Sequence, residues 1–228
     1  MLDRLLGAAP SPRRDFLGRV GAAFGLTLAA TLPGAAVAET RPAAPEQGAD
    51  WLKGLNGKHR QLFDMPTPED GFGLLHIRNY MNTWRDAFGM KDSEINAVGT
   101  FYGKATPLGF TDDMWVKYKF GAVLEITDAT TKAPLERNMF YQPKEGDNFA
   151  FGFFDSSISA LQARGVLFIL CNNAVHFFAS RLAAGGMGTA DDIAKDLLAH
   201  VQPKVVVVPG MVVAINQAQE AHISYMKL

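Results

Sequence analysis

Cys171, the only cysteine of the chain, is the side chain best suited to chemistry. It ends an apolar run that begins at Gly165 and predicts a buried strand. The residues 174–182 predict a helix, with Asn172 or Asn173 as its N-cap. Unpaired backbone N–H groups and the helix dipole favour an anion at a helix N-terminus, and a thiolate is an anion. The pattern therefore predicts a reactive thiol at a strand-to-helix junction, with a small packed cysteine as the alternative.

Other candidate site residues are less specific. His76 lies on the first predicted helix. Its side chain either projects at the ligand end of the sheet or is an ordinary surface histidine. Trp115 and Tyr118 are one helical turn apart, so they line a pocket or contact the core. Pro209 and Gly210 follow the late apolar strand, at the end where parallel sheets bind ligands.

Composition and absent motifs exclude several classes. The formal net charge is −1 and the sequence has no basic block, which argues against a nucleic-acid partner. The sequence contains no phosphate-binding glycine loop, nucleophile elbow, His-Glu-x-x-His helix or Cys-x-x-Cys pair. We therefore expect no bound cofactor and no dedicated metal site. A metal held by Cys171 and a nearby histidine is a weaker alternative.

The N-terminus predicts export. Arg13 and Arg14, followed by Phe16 and Leu17, resemble the twin-arginine signal, and a moderately apolar stretch and a small-residue cleavage site at 36–38 come next. We expect a signal peptide over 1–38, a linker over 39–57 that ends in a small helix, and a periplasmic protein without a membrane segment after cleavage. A membrane anchor is the alternative, but the stretch is short and weakly hydrophobic.

The remainder of the chain alternates strand and helix patterns. Strands are predicted at 59–65, 94–102, 165–171, 204–208 and 223–228, and helices at 74–88, 112–120, 156–163, 174–182, 189–200 and 211–221. This order predicts an α/β three-layer sandwich with a mostly parallel sheet of about five strands. Residues 122–155 form an excursion with a possible hairpin and an aromatic patch at 149–154. Such a segment is typical of a lid, an interface or a cover over the core.

These elements resemble the DsrE/DsrF-like family, and more narrowly its exported, uncharacterised members. The resemblance covers 58–228 and rests on 161–165 before the strand, Cys171 after it, Gly210 after the late strand, 215–220 and the terminal strand with Tyr225. Further landmarks are 79–81, 105–107, Trp115 and 117–118.

The resemblance implies that Cys171 accepts a sulfane sulfur as a persulfide and passes it on. It also implies a small homo-oligomer, for which the 149–154 cluster is a candidate interface. We therefore expect a periplasmic protein that binds or relays sulfane sulfur, with a small sulfur species or a partner protein as its ligand. The alternative is a non-catalytic binding or assembly module in which Cys171 is packed. Whether the chain is an enzyme stays open.

Overall fold

A computed structural model describes residues 50–228 of the chain. The predicted signal peptide, 1–38, and the first part of the predicted linker lie outside the described residues. A five-stranded sheet forms the centre, and every strand pairs in parallel with its neighbours. The strands are β1 (His59–Asp64), β2 (Ile95–Phe101), β3 (Leu167–Cys171), β4 (Val205–Val208) and β5 (Ser224–Lys227), in the spatial order β4-β3-β2-β1-β5.

Helices cover both faces of the sheet. They are α1 (Phe72–Phe88), α2 (Asp112–Lys117), α3 (Phe120–Val123), α4 (Ile158–Ala163), α5 (Asn172–Ala184), α6 (Ala190–Ala199) and α7 (Met211–Glu220), and a short 3-10 helix spans Asp50–Gly54. The predicted α/β class and five-stranded parallel sheet are confirmed. Within 50–228, no helix combines the length and the apolar character needed to cross a membrane.

The order of the strands decides which helix covers which face. From β1 to β4 the chain steps across the sheet in one direction, and right-handed crossovers then place α1, α4, α5 and α6 on one face. The chain returns from β4 to β5 beside β1, so α7 lies on the opposite face. The buried side chains agree, because α7 contributes to a smaller apolar cluster with Leu62, Val98 and Ile169, separate from the main core.

The first long helix, α1, follows its predicted apolar stripe. Leu74, Ile77 and Met81 are buried against the sheet. The helix ends at Gly89, which has the left-handed φ of 66° and donates its N–H to the carbonyl of Arg85. Phe88, which ends the helix predicted over 74–88, is exposed in the final turn of α1.

The C-terminal boundary of the helix predicted over 112–120 is wrong. The helix α2 ends at Lys117, and Lys119 takes a left-handed φ of 53° before the short helix α3 begins. Gly121 therefore lies inside α3 and does not terminate a helix. The turn after α3 is closed by an antiparallel bridge between Thr127 and Pro134, which is the small hairpin expected in the excursion.

Part of the excursion over 122–155 is buried in the main core. Phe149 is buried in the main core, whereas Phe151 is 81% exposed. The 149–154 aromatic cluster is thus divided between core and surface: Phe149 and Phe154 pack with the main core, and Phe151 and Phe153 are exposed. Phe149 itself is unavailable to a partner.

Gly121 allows α3 to contact the hairpin, and we expect Gly121→Ala to lower the free energy of unfolding. A Cβ at this position would lie 2.1 Å from the carbonyl oxygen of Leu135, which is backbone and cannot rotate away. The expected loss is about 2–3 kcal/mol, measured by urea denaturation. Gly54→Ala is the matched control, because a Cβ there meets nothing within 4 Å. An equal effect of both substitutions would contradict this packing.

Candidate functional site

Cys171 is the last residue of β3 and directly precedes α5. Its side chain is 5% exposed, and its Sγ accepts the backbone N–H of Met211 at 3.2 Å. Met211 is the first residue of α7, so the sulfur satisfies one of the N–H groups that a helix leaves without an internal partner. The predicted strand-to-helix junction is confirmed, and the sulfur contacts the N-terminus of a second helix as well.

The two asparagines do not cap α5 as predicted. Asn172 and Asn173 are its first two helical residues, and Cys171 occupies the N-cap position with no side-chain cap hydrogen bond. Helical hydrogen bonding begins one residue earlier than the pattern of side chains indicates. The Asn173 amide lies beside Gly210 instead: a Cβ at Gly210 would come within 3.1 Å of its Nδ2.

The sheet brings Cys171, Pro209 and Gly210 to one place. Cys171 pairs with Val208, so β3 and β4 end side by side and the Pro209-Gly210 turn follows immediately. The chain leaves β3 towards α5 on the main-core face and leaves β4 towards α7 on the opposite face. Parallel α/β sheets bind ligands beyond the carboxyl ends of neighbouring strands whose connections diverge in this way.

A buried carboxylate lies on the same face and the same edge. Asp64 ends β1 and is 3% exposed. Its Oδ2 accepts the Tyr225 hydroxyl at 2.7 Å, and its Oδ1 is 3.5 Å from the hydroxyl of Thr100. Tyr102 follows β2 and packs against the smaller apolar cluster, which contains Cys171. Sequence reasoning did not single out Asp64 or Tyr102; an acidic residue at the end of an apolar strand was the available signal.

The tyrosines of this group keep their protons at neutral pH. Burial, followed by the hydrogen bonding and charge of Asp64, raises the pKa of Tyr102 well above its usual range, with smaller contributions from Tyr225 and Cys171. The hydrogen bond to Asp64, then burial, raises the pKa of Tyr225 to about 12. Both hydroxyls are therefore protonated donors, and that of Tyr225 donates to Asp64.

The remaining predicted site residues lie elsewhere. His76 is half-buried on α1 and contacts the ring of Phe72 edge-on, with 4.5 Å between ring centroids. Trp115 and Tyr118 are buried in the main core. Trp115 donates its Nε1–H to the carbonyl of Pro107, and Tyr118 donates its hydroxyl to Asp196. The structure does not bring these three side chains to Cys171.

Two cavities also lie away from the thiol. One of about 500 Å³ is lined by Trp115, Pro134 and Arg137 among others, and another of about 360 Å³ by Lys104 and Phe178 among others. Neither is lined by Cys171. Among residues 50–228, no three His, Cys, Asp or Glu side chains are grouped so that they could hold a metal ion.

Comparisons with known proteins found no similar protein of known function. No protein-family model matches the chain, and no curated protein matches it. Among solved structures, the chain is similar to a protein of unknown function, MTH1491 from Methanobacterium thermoautotrophicum. The two are 17% identical with a TM-score of 0.37, over 75% of this chain and 99% of the other.

We expect Tyr225→Phe to lower the free energy of unfolding by about 1 kcal/mol at pH 7, because a buried carboxylate loses a donor. The folded state raises the pKa of Tyr225 above the unfolded value of about 10. This contribution is therefore fully present below pH 10 and is lost as the pH rises through about 12. Urea denaturation at neutral and alkaline pH measures both effects. Tyr141→Phe is the control, and equal behaviour of the two variants would contradict the Asp64 contact.

Proposed function

We propose that the protein carries sulfane sulfur on Cys171 in the bacterial periplasm. The observation that carries the proposal is the N–H of Met211 directed at Sγ of Cys171, at the edge where β3 and β4 end. A backbone donor and two helix N-termini stabilise a negative sulfur at this position. The resemblance to the DsrE/DsrF-like family, with its sulfur-accepting cysteine, supports the same assignment. The twin-arginine pattern supports the compartment.

The transfer is a simple displacement. The Cys171 thiolate attacks the outer sulfur of thiosulfate, a new S–S bond forms at the cysteine, and the original S–S bond breaks with its electron pair leaving on sulfite. The product persulfide keeps one negative charge, so the same donors serve the thiolate and the loaded form. A second thiolate on a partner protein accepts the outer sulfur by the same displacement.

Burial restricts the donor. Because Cys171 is only 5% exposed, a bulky donor has little access to Sγ in the folded protein. Thiosulfate and short inorganic polysulfides are the smallest donors of sulfane sulfur. The site thus favours inorganic sulfur donors over peptide disulfides.

We expect the folded protein to gain sulfur atoms at Cys171 after treatment with thiosulfate or polysulfide. Intact-mass and peptide mass spectrometry measure the gain, and dithiothreitol removes it. Cys171→Ser is the control and stays unmodified, since the chain has no other cysteine. A folded wild-type protein that gains no sulfur under these conditions would show that the proposal is wrong.

The burial of the thiol also favours a second candidate, a binding or assembly module in which Cys171 is a packed residue. Phe72 and Phe151 are exposed and contact each other edge-on, 6.1 Å apart, and Phe153 is exposed nearby over Arg78. An aromatic surface of this kind suits a second copy of the chain. Under this candidate, Cys171 reacts with iodoacetamide only in denaturant.

For the assembly surface, we expect wild-type protein to elute from a size-exclusion column as an oligomer. The double substitution of Phe151 and Phe153 by Ser removes the exposed aromatic area and is expected to give a monomer with an unchanged melting temperature. Phe177→Ser is the control, because Phe177 is exposed on α5 outside this surface. Wild-type protein that is monomeric at every concentration would contradict the assembly.

A further inference from the structure

A cavity of about 360 Å³ lies beside α5 and the end of α3. The helix α5 lines it with two adjacent residues in each of two successive turns, namely Phe177, Phe178, Arg181 and Leu182. The volume falls within the range of about 300–1,000 Å³ that is typical of small-molecule sites. Cys171 does not line this cavity, so a ligand bound here is independent of the proposed sulfur chemistry.

The more buried lining residues form an apolar floor that belongs to the main core. Leu182 is buried, and Phe178 is half-buried and meets the ring of Phe120 edge-on, with 6.3 Å between ring centroids. Leu124, the residue after α3, also packs half-buried against the main core. Core packing therefore fixes the floor before a ligand binds, and a preformed floor lowers the ordering cost of binding.

Two large apolar side chains at the rim of the cavity are exposed to solvent. Phe177 is 64% exposed and Val123 is 48% exposed, although both line the cavity. Water in the cavity therefore contacts hydrocarbon at the rim as well as at the floor. A ligand with an apolar body would displace this water, which is favourable because apolar surface is removed from solvent.

The rim also carries an excess of positive charge. Lys104, which lies shortly after β2, and Arg181 line the cavity together with one acid, Glu125. None of the ion pairs among residues 50–228 includes any of these three side chains. Two cations and one carboxylate leave one positive charge without a counterpart. A ligand with a single negative charge complements that excess.

We propose that this cavity binds a small amphipathic anion, a carboxylate with an unbranched hydrocarbon body. The carboxylate head is held at the rim by Lys104 and Arg181. The hydrocarbon body covers Phe177 and fills the space above Phe178 and Leu182. The site binds and releases its ligand, and no covalent bond is made or broken.

Calorimetric titration of the folded wild-type protein with decanoate tests the site. We expect saturable binding of one decanoate per chain. Octanoate is expected to bind roughly tenfold more weakly, because two fewer methylene groups are buried. Decylammonium has the same body and the opposite charge, and it is expected to bind more weakly than decanoate. Added salt is expected to weaken the binding of decanoate but not that of decan-1-ol, which carries no charge.

Three substitutions at the rim test the role of charge. Lys104→Met and Arg181→Met remove a cation and keep an unbranched side chain. Each is expected to weaken decanoate binding about two- to fivefold and to leave decan-1-ol binding unchanged. Glu125→Gln removes the like charge and is expected to strengthen decanoate binding about twofold. Lys195→Met is the matched control, because Lys195 is exposed on α6 and does not line the cavity.

One further substitution tests the apolar body. Phe177→Ser is expected to weaken the binding of decanoate and decan-1-ol alike, because both ligands cover this ring. Phe177, Lys104, Arg181 and Glu125 are all exposed, so each variant is expected to fold, and circular dichroism checks this.

The absence of saturable decanoate binding at millimolar concentration would overturn the inference. Decylammonium that binds as tightly as decanoate would also overturn it, since the excess positive charge would then have no role. An effect of Lys195→Met equal to that of Lys104→Met would mean a general attraction to the surface and not a site. Cys171→Ser is expected to bind decanoate like the wild type, so failure of this site and failure of sulfur carriage are observed separately.

Discussion

The backbone N–H of Met211 reaches the sulfur of Cys171 because β3 and β4 pair in parallel, with Cys171 beside Val208, so both strands end at one edge. The chain then diverges, towards α5 on one face and α7 on the other. This divergence follows from the return of the chain after β4 to the far side of β1. Two helix N-termini and the thiol therefore meet at one edge of the sheet as a consequence of strand order.

The same alternation of side chains places a buried carboxylate on the face of the thiol, two strands away. Asp64 ends β1 and Tyr102 follows β2, and both lie on the face of Cys171 towards the carboxyl ends of the strands. Main-chain pairing of β5 adds Tyr225, and the N–H of Leu228 bonds to the carbonyl of Asp64. The closing strand thus fixes the carboxylate through its side chain and its backbone. Asp64 therefore links the C-terminal strand to the buried negative charge, because it bonds to Tyr225 and Leu228.

Local patterns predicted most of the fold. The apolar run before Cys171 is the buried strand β3, and the run before Pro209 is the half-buried edge strand β4. The three- and four-residue spacing of Leu74, Ile77 and Met81 marks α1, because periodicity is a property of neighbouring residues. The site was only half predictable. Helical spacing does not distinguish a pocket from a core, so both interpretations of Trp115 and Tyr118 stayed open until the structure placed them in the main core. The contact between Asp64 and Thr100 depends on the pairing of distant segments.

If Cys171 carries sulfur, the protein made by its own organism contains Cys171 persulfide. Measuring the sulfur bound to this residue in the native protein is the most direct test. Protein isolated from that organism without reductant would be alkylated at once and its Cys171 peptide weighed. A fraction of the peptide is expected to retain one or more extra sulfur atoms, which dithiothreitol releases. A peptide that contains only the free thiol, in cells grown with thiosulfate, would contradict the account.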